Sequence, residues 1–302
     1  MLEATEEWQK GPASVQKGSD AIYNIILQAL ESNKGALIGR HGTIELTTLL
    51  QRKNIQPEIL TTLQRNAGIF PIDQTSVMSW ISEYSNATSN ADAMAAGWYY
   101  PLSQAELSLI NIIAPHSTKI PLRSLEPYYT SPPSEPWTRV LEGQHVAVVS
   151  SFAESMKKQI AFKDTIWPNK PSSPLPANTQ WTFIRSYYSP ALASNIKSTN
   201  WPEPIRSWKD AVQHLETQVV ESGARICLLG CGGLAMPLAL RLKKRGIVAI
   251  VLGGSIQILF GIKGRRWESH PIISKFFNDA WVYPDLEEIP QNARLIEGGC
   301  YW

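Results

Sequence analysis

"RICLLGCGGLAMPLALRLKKRGIVAIVLGG", Arg225 to Gly254, is the stretch from which the fold is read. Two short apolar runs, Arg225–Gly230 and Val248–Gly253, have the length and the Val, Ile and Leu content of buried strands. Between them a glycine turn opens a helical segment that runs to Lys244. Strands that are apolar throughout, joined through a helix, are the repeating piece of a parallel sheet covered on both faces.

The same alternation extends outward. "HVAVVSS" (His145–Ser151) reads as a strand feeding the helix "AESMKKQIAF", and "WTFIRS" reads as the next strand. Nearer the start, Ala36–Gly39 is a strand that enters a helix at about Thr43. Before it, "DAIYNIILQALES" sets Ile22, Ile25, Ile26 and Leu30 on one helical face, with Ser19 or Asp20 as N-cap. Residues 56–113 are mostly helical by periodicity, broken at "NAGIFP" and "GWYYP". The expected architecture is α/β: a Rossmann-like, mostly parallel sheet with helices on both faces and a largely helical insertion over about 52–135. Residues 1–20 read as a loose arm and 21–302 as one domain.

Composition narrows the class. Hydrophobic residues at 43% and charged residues at 18% describe a soluble globular chain, and a net charge of +2 gives no general electrostatic attraction to nucleic acid. Three cysteines without paired CxxC spacing indicate neither a disulfide framework nor a zinc site. The start has no apolar signal region, and no apolar window reaches a membrane span of about 20 residues uninterrupted. A cytoplasmic protein with no transmembrane segment is expected.

In a doubly wound sheet, ligands sit outside the carboxyl ends of the strands. Four loops fall there: "GRHGT", "SSFAE", "GCGGLA" and "GGSIQ". In "GCGGLA", Gly230, Gly232 and Ala235 satisfy G-x-G-x-x-G/A, with Gly233 beside them. A cofactor phosphate could rest on such a turn, or the glycines could serve close helix–strand packing. A nicotinamide reading needs an acid at the end of the next strand, and that strand ends "VLGGS". Ser150 and Ser151 either cap the following helix or hold a ligand oxygen. In "GGSIQILFGIKGRRW", Gly253 and Gly254 open a short helix and Gln257 lies one turn in. Lys263, Arg265 and Arg266 then form a cluster that is either a solvated loop or an anion site, Arg matching phosphate oxygens with a planar fork. No histidine spacing suits a metal, and no G-x-S-x-G elbow suits a serine nucleophile. Trp98, Trp137, Trp167 and Trp201 look exposed and either stack on sugars through their ring faces or serve as core or loop anchors, the commoner part for Trp. The aromatic end, "IEGGCYW", is expected to pack down and carry Glu297 into place.

Taken in order, "IGRHGTIEL", "NAGIFP", "GWYYP", "PWTRVLEGQHVAVVSSFAESMKKQ", "LLGCGGLAMPLALRLKKRG", "LGGSIQILFGIKGRRW" and "IEGGCYW" resemble the GT-D-type glycosyltransferases and their GT-D-like relatives over roughly Ala36 to Trp302. The resemblance implies a Rossmann-like fold that moves a sugar from a nucleotide-sugar donor to a carbohydrate or glycoconjugate acceptor. In that family Arg-aromatic-Gly-Asp-Gly-Glu holds the donor diphosphate with a divalent metal. Here Arg40, Gly42 and Glu45 match, His41 takes the aromatic place and Thr43 stands where the Asp belongs. Mn²⁺ or Mg²⁺ wants carboxylate oxygens. So Glu45 is left as a weak metal ligand, or Arg40, Arg265 and Arg266 take the metal's part. Candidate bases for the acceptor hydroxyl are Glu297 and Asp92, with Glu45 serving the metal or ribose. Two rivals stand beside this reading: a dinucleotide- or S-adenosylmethionine-dependent enzyme using "GCGGLA", and a non-catalytic nucleotide- or glycan-binding relative.

Overall fold

A computed structural model describes residues 12–97, 99–130, 133–168, 173–192 and 199–302. Trp98 and the first eleven residues of the expected arm lie outside this set. Helix α1 (Pro12–Glu31) leads to β1 (Leu37–Arg40), then α2 (Thr43–Leu50), α3 (Pro57–Asn66), α4 (Gln74–Ser89), β2 (Ala93–Ala96), α5 (Ser103–Ile113) and β3 (Thr118–Pro121). The second half runs β4 (His145–Ser150), α6 (Ala153–Gln159), β5 (Gln180–Arg185), α7 (Trp208–Glu221), β6 (Ile226–Gly230), α8 (Ala235–Lys244), β7 (Val248–Val251) and α9 (Ser255–Leu259).

All seven strands form one parallel sheet in the order β3-β2-β1-β7-β6-β4-β5. Alternating side chains divide between two cores. Leu37, Ala147, Val149, Cys227, Leu229, Ala249 and Val251 face α2–α5, α7 and α8. Ile38, Val146, Val148, Ile226, Leu228, Val248 and Ile250 face α1, α6, α9 and the last forty residues. Burial on both faces explains why these strands are apolar without a break.

Two differences from the sequence reading have physical causes. Helix α1 begins at Pro12, so part of the expected arm is helical. Val15 and Ser19 are buried there, and the Ser124 hydroxyl donates to the Val15 carbonyl at 3.0 Å. The region read as a helical insertion contains β2 and β3, whose sequences "AMAA" and "TKIP" are four residues long and poor in β-formers. Pairing onto β1 makes them strands, and α4 and α5 become the crossovers of the sheet.

Neighbouring strands β4 and β6 send the chain opposite ways, one outward to β5 and the other inward to β7. The crevice expected at such a reversal is where the candidate site lies.

Candidate functional site

A cavity of about 720 Å³ opens at the carboxyl ends of the strands. All four expected loops line it: Arg40, Gly42, Thr43 and Glu45 after β1, Ser150 and Ser151 after β4, Gly230 and Gly232 after β6, and Gly253, Gly254 and Gln257 after β7.

Two of its buried charges come from the β1–α2 junction. Arg40, the last residue of β1, is buried, and its Nε donates to the His41 carbonyl at 3.3 Å. The N-cap of α2 is Gly42, which offers no capping side chain. The carboxylate of Glu45, three positions on, folds back and accepts from its own backbone N–H. A methyl group at Gly42 would overlap that carboxylate, so glycine is what permits the fold-back. Burial raises the Glu45 pKa above the ordinary glutamate value, although its backbone bond, Arg40 and His41 pull the other way. His41 is buried beneath, with Nδ1 3.5 Å from Glu106 Oε1 and Nε2 3.3 Å from Thr88 Oγ1. Glu106 in turn accepts from the Gly97 amide at 3.0 Å, tying the β1 and β2 loops together.

On the neighbouring strand, the β7 turn brings in the second cation. Gly253 has φ +59°, a conformation that glycine adopts without strain, and a methyl group there would lie 3.4 Å from Arg40 Nη1. At the next residue, a methyl on Gly254 would lie 3.9 Å from Arg266 Nη1. The two guanidinium groups thus flank one double-glycine turn. Arg266 is set by the Tyr301 ring 4.7 Å from its guanidinium and by Glu297 Oε2 at 3.6 Å. Burial opposes its charge, but Tyr301, Glu297 and Cys300 outweigh this and its pKa rises. Tyr301, half-buried beside Arg266 and Glu297, is pushed up to about 12, chiefly by burial of its hydroxyl. Gln257 donates through Nε2 to the carbonyls of Lys263 and Tyr301, each at 2.8 Å, and so fastens the last residues to α9.

Several expected residues take other parts. Arg265 is exposed and outside the cavity lining. Asp92 lies at the opposite end of the sheet, accepting from the Leu37 amide at 2.7 Å and pairing with Lys243 at 2.8 Å, so it is not placed to act as the base. Gly233 is also outside the lining: its N–H goes to the Ala67 carbonyl at 2.8 Å and its own carbonyl accepts from Trp80 Nε1 at 2.9 Å. Part of the "GCGG" turn is therefore packing. At the β4 loop, Ser150 Oγ accepts from the Phe152 amide at 3.1 Å. The start of α6 is filled by the buried carboxylate of Glu288, which accepts from the Glu154 amide at 2.8 Å and from the Ser155 hydroxyl. Trp137 and Trp167 are core residues, not exposed ones, and Trp201 is half-buried against Phe70 and Tyr187.

The structure adds residues that sequence reasoning passed over. Ser186 to Ser189 line the cavity after β5 and would have been found by extending the strand-end rule to "WTFIRS". Arg65, half-buried in the wall made by the "NAGIFP" loop, has no hydrogen bond or ion pair among the described residues. Among the described residues no group of three His, Cys, Asp or Glu side chains could by itself hold a metal ion, and Thr43, at the position of the expected Asp, presents a buried hydroxyl without a partner.

No family model, curated protein or solved structure matches the chain.

Proposed function

We propose that the chain transfers a glycosyl group from a nucleotide-sugar donor to a hydroxyl acceptor. The observation that carries this reading is the pair of guanidinium groups, Arg40 and Arg266, next to the Gly253–Gly254 turn at the carboxyl end of a parallel sheet. Planar guanidinium forks suit phosphate oxygens, and the negative charge that grows on a departing diphosphate needs fixed cations. A volume of about 720 Å³ suits a ligand of nucleotide-sugar size.

In this mechanism the sugar–phosphate bond breaks and its electron pair leaves on the diphosphate, held by Arg40 and Arg266. The acceptor oxygen bonds to the anomeric carbon and its proton passes to a carboxylate. Glu45 is assigned that role, because it lines the cavity together with Arg40, and burial raises its pKa above the ordinary glutamate value. Glu297 keeps Arg266 in position. No step is routed through a metal.

The test is to incubate the protein with UDP- and GDP-sugars, in EDTA and with Mn²⁺, and to follow nucleotide release. Release from at least one donor, equal in EDTA, is expected. Binding without release under any acceptor condition would favour a non-catalytic relative. Neither release nor a thermal shift with any nucleoside diphosphate would overturn the proposal.

A further inference from the structure

The guanidinium and carboxylate groups of the cavity wall pair off with one exception. Arg40 faces the charge of Glu45, Arg123 meets Glu126 at 2.6 Å and Arg266 meets Glu297 at 3.6 Å. No lysine or aspartate joins them among the described residues, so Arg65 is the cation left over. It is half-buried, as is the adjacent Asn66, and both line the cavity. Neither side chain has a hydrogen bond or ion pair among the described residues, so both keep accessible donors that no protein group uses. A guanidinium held partly out of water without a counter-ion is unfavourable, and an arriving oxyanion relieves it.

Arg65 stands apart from the diphosphate cations. Arg40 and Arg266 lie next to the turn after β7, whereas residues 65–68 pack on the turn after β6, where the Ala67 carbonyl accepts from the Gly233 amide at 2.8 Å. Leu63, Ala67 and Ile69, on either side of Arg65, belong to the core on one face of the sheet; Trp267 and Ile296, beside Arg266 and Glu297, belong to the other. Arg65 and Arg266 therefore reach the cavity from opposite faces. Near Arg65 the wall is aromatic. The Trp201 ring lies 6.5 Å from Phe70, which ends the Arg65 loop, and 5.2 Å from Tyr187 on the loop after β5. Tyr187 lines the cavity and stays half-exposed, although Trp201 and, at 5.7 Å, the Arg185 guanidinium lie against it.

We infer that this end of the cavity receives the acceptor, and that the acceptor is a sugar carrying an acid group, phosphate or carboxylate. Arg65 and Asn66 take the oxygens of the acid, and the Tyr187 ring takes an apolar face of the pyranose. A neutral acceptor would leave the Arg65 charge uncompensated beside it. Calling this molecule the acceptor rests on the glycosyl-transfer reading; the anion site rests on Arg65 itself.

Isothermal titration with glucose, glucose-6-phosphate and glucuronate tests it, each sugar entering protein saturated with whichever of UDP and GDP binds, so that Arg40 and Arg266 are occupied. The wild type is expected to bind at least one acid about tenfold more tightly than glucose, and Arg65→Gln to lose that preference. Which acid shows it separates phosphate from carboxylate. UDP and GDP affinity and the urea midpoint should be the same in Arg65→Gln as in the wild type, since Arg65 makes no internal bond among the described residues. Tyr187→Leu should weaken acid and glucose alike, and unchanged affinities there would overturn the stacking. Equal binding of the three sugars, binding of none, or a preference that survives Arg65→Gln would overturn the acid site. Weaker UDP or GDP binding in Arg65→Gln would move Arg65 to the diphosphate and also overturn it. If neither nucleotide binds, the glycosyl-transfer reading falls; the sugars titrated into the free protein then uphold the anion site where Arg65→Gln removes an acid preference, and end it where it does not.

Discussion

Strand β1 has a carboxylate and a cation at each end, and the two ends do different work. At its amino end, Asp92 accepts from the Leu37 amide and pairs with Lys243, so the group is closed on itself. At its carboxyl end, Glu45 is buried with its pKa raised, Arg40 borders an open cavity and the Thr43 hydroxyl has no partner. The same residue types serve the fold where their bonds are made internally. Where they border an open cavity, they mark a site.

The largest effect is expected from Arg40→Lys, which keeps the charge and loses the fork. Nucleotide release should fall at least a hundredfold, about 2.7 kcal/mol of transition-state stabilisation, in a steady-state assay. Next comes Glu45→Gln, for which turnover should fall by about a hundredfold while stability does not fall. The sign follows from the raised pKa: the folded state binds its proton more tightly than the unfolded state. Wild-type stability therefore declines as pH rises from the ordinary glutamate pKa through the raised folded-state pKa, and Glu45→Gln escapes that decline. Urea unfolding of both proteins across this range checks it, and a wild type that gains stability relative to the variant would reverse the assignment.

At the closed end the pattern inverts. Asp92→Asn should leave turnover unchanged and cost about 1 kcal/mol in urea unfolding, since a half-exposed pair and one backbone bond are weakened. A loss of turnover with unchanged stability would return Asp92 to the list of candidate bases. Smallest of all, Arg265→Ala should change neither quantity, because its side chain is exposed and outside the cavity.

Much of this was legible in the chain because parallel strands buried on both faces leave long apolar runs. "HVAVVS", "ICLLG" and "VAIV" announce themselves, and the rule that ligands gather at strand ends assembles the four loops. By contrast, "AMAA" and "TKIP" form strands only through their pairing partners, which no local pattern records. Asp92 and Glu45 look alike in sequence, and only the position of β2 in the sheet sends Asp92 to the far end. Glu288, which caps α6 from more than a hundred residues away, left no local trace either. Nor did the partnerless Gln257 Oε1, since burial and valence appear only when distant segments meet.

The central claim is that the open end of β1 binds a diphosphate and the closed end does not. Isothermal titration of UDP and GDP into the wild type, Arg40→Lys and Asp92→Asn tests it most directly. The account predicts that at least one nucleotide binds the wild type and Asp92→Asn alike and binds Arg40→Lys at least tenfold more weakly. Equal binding to all three proteins, or binding to none, would contradict it.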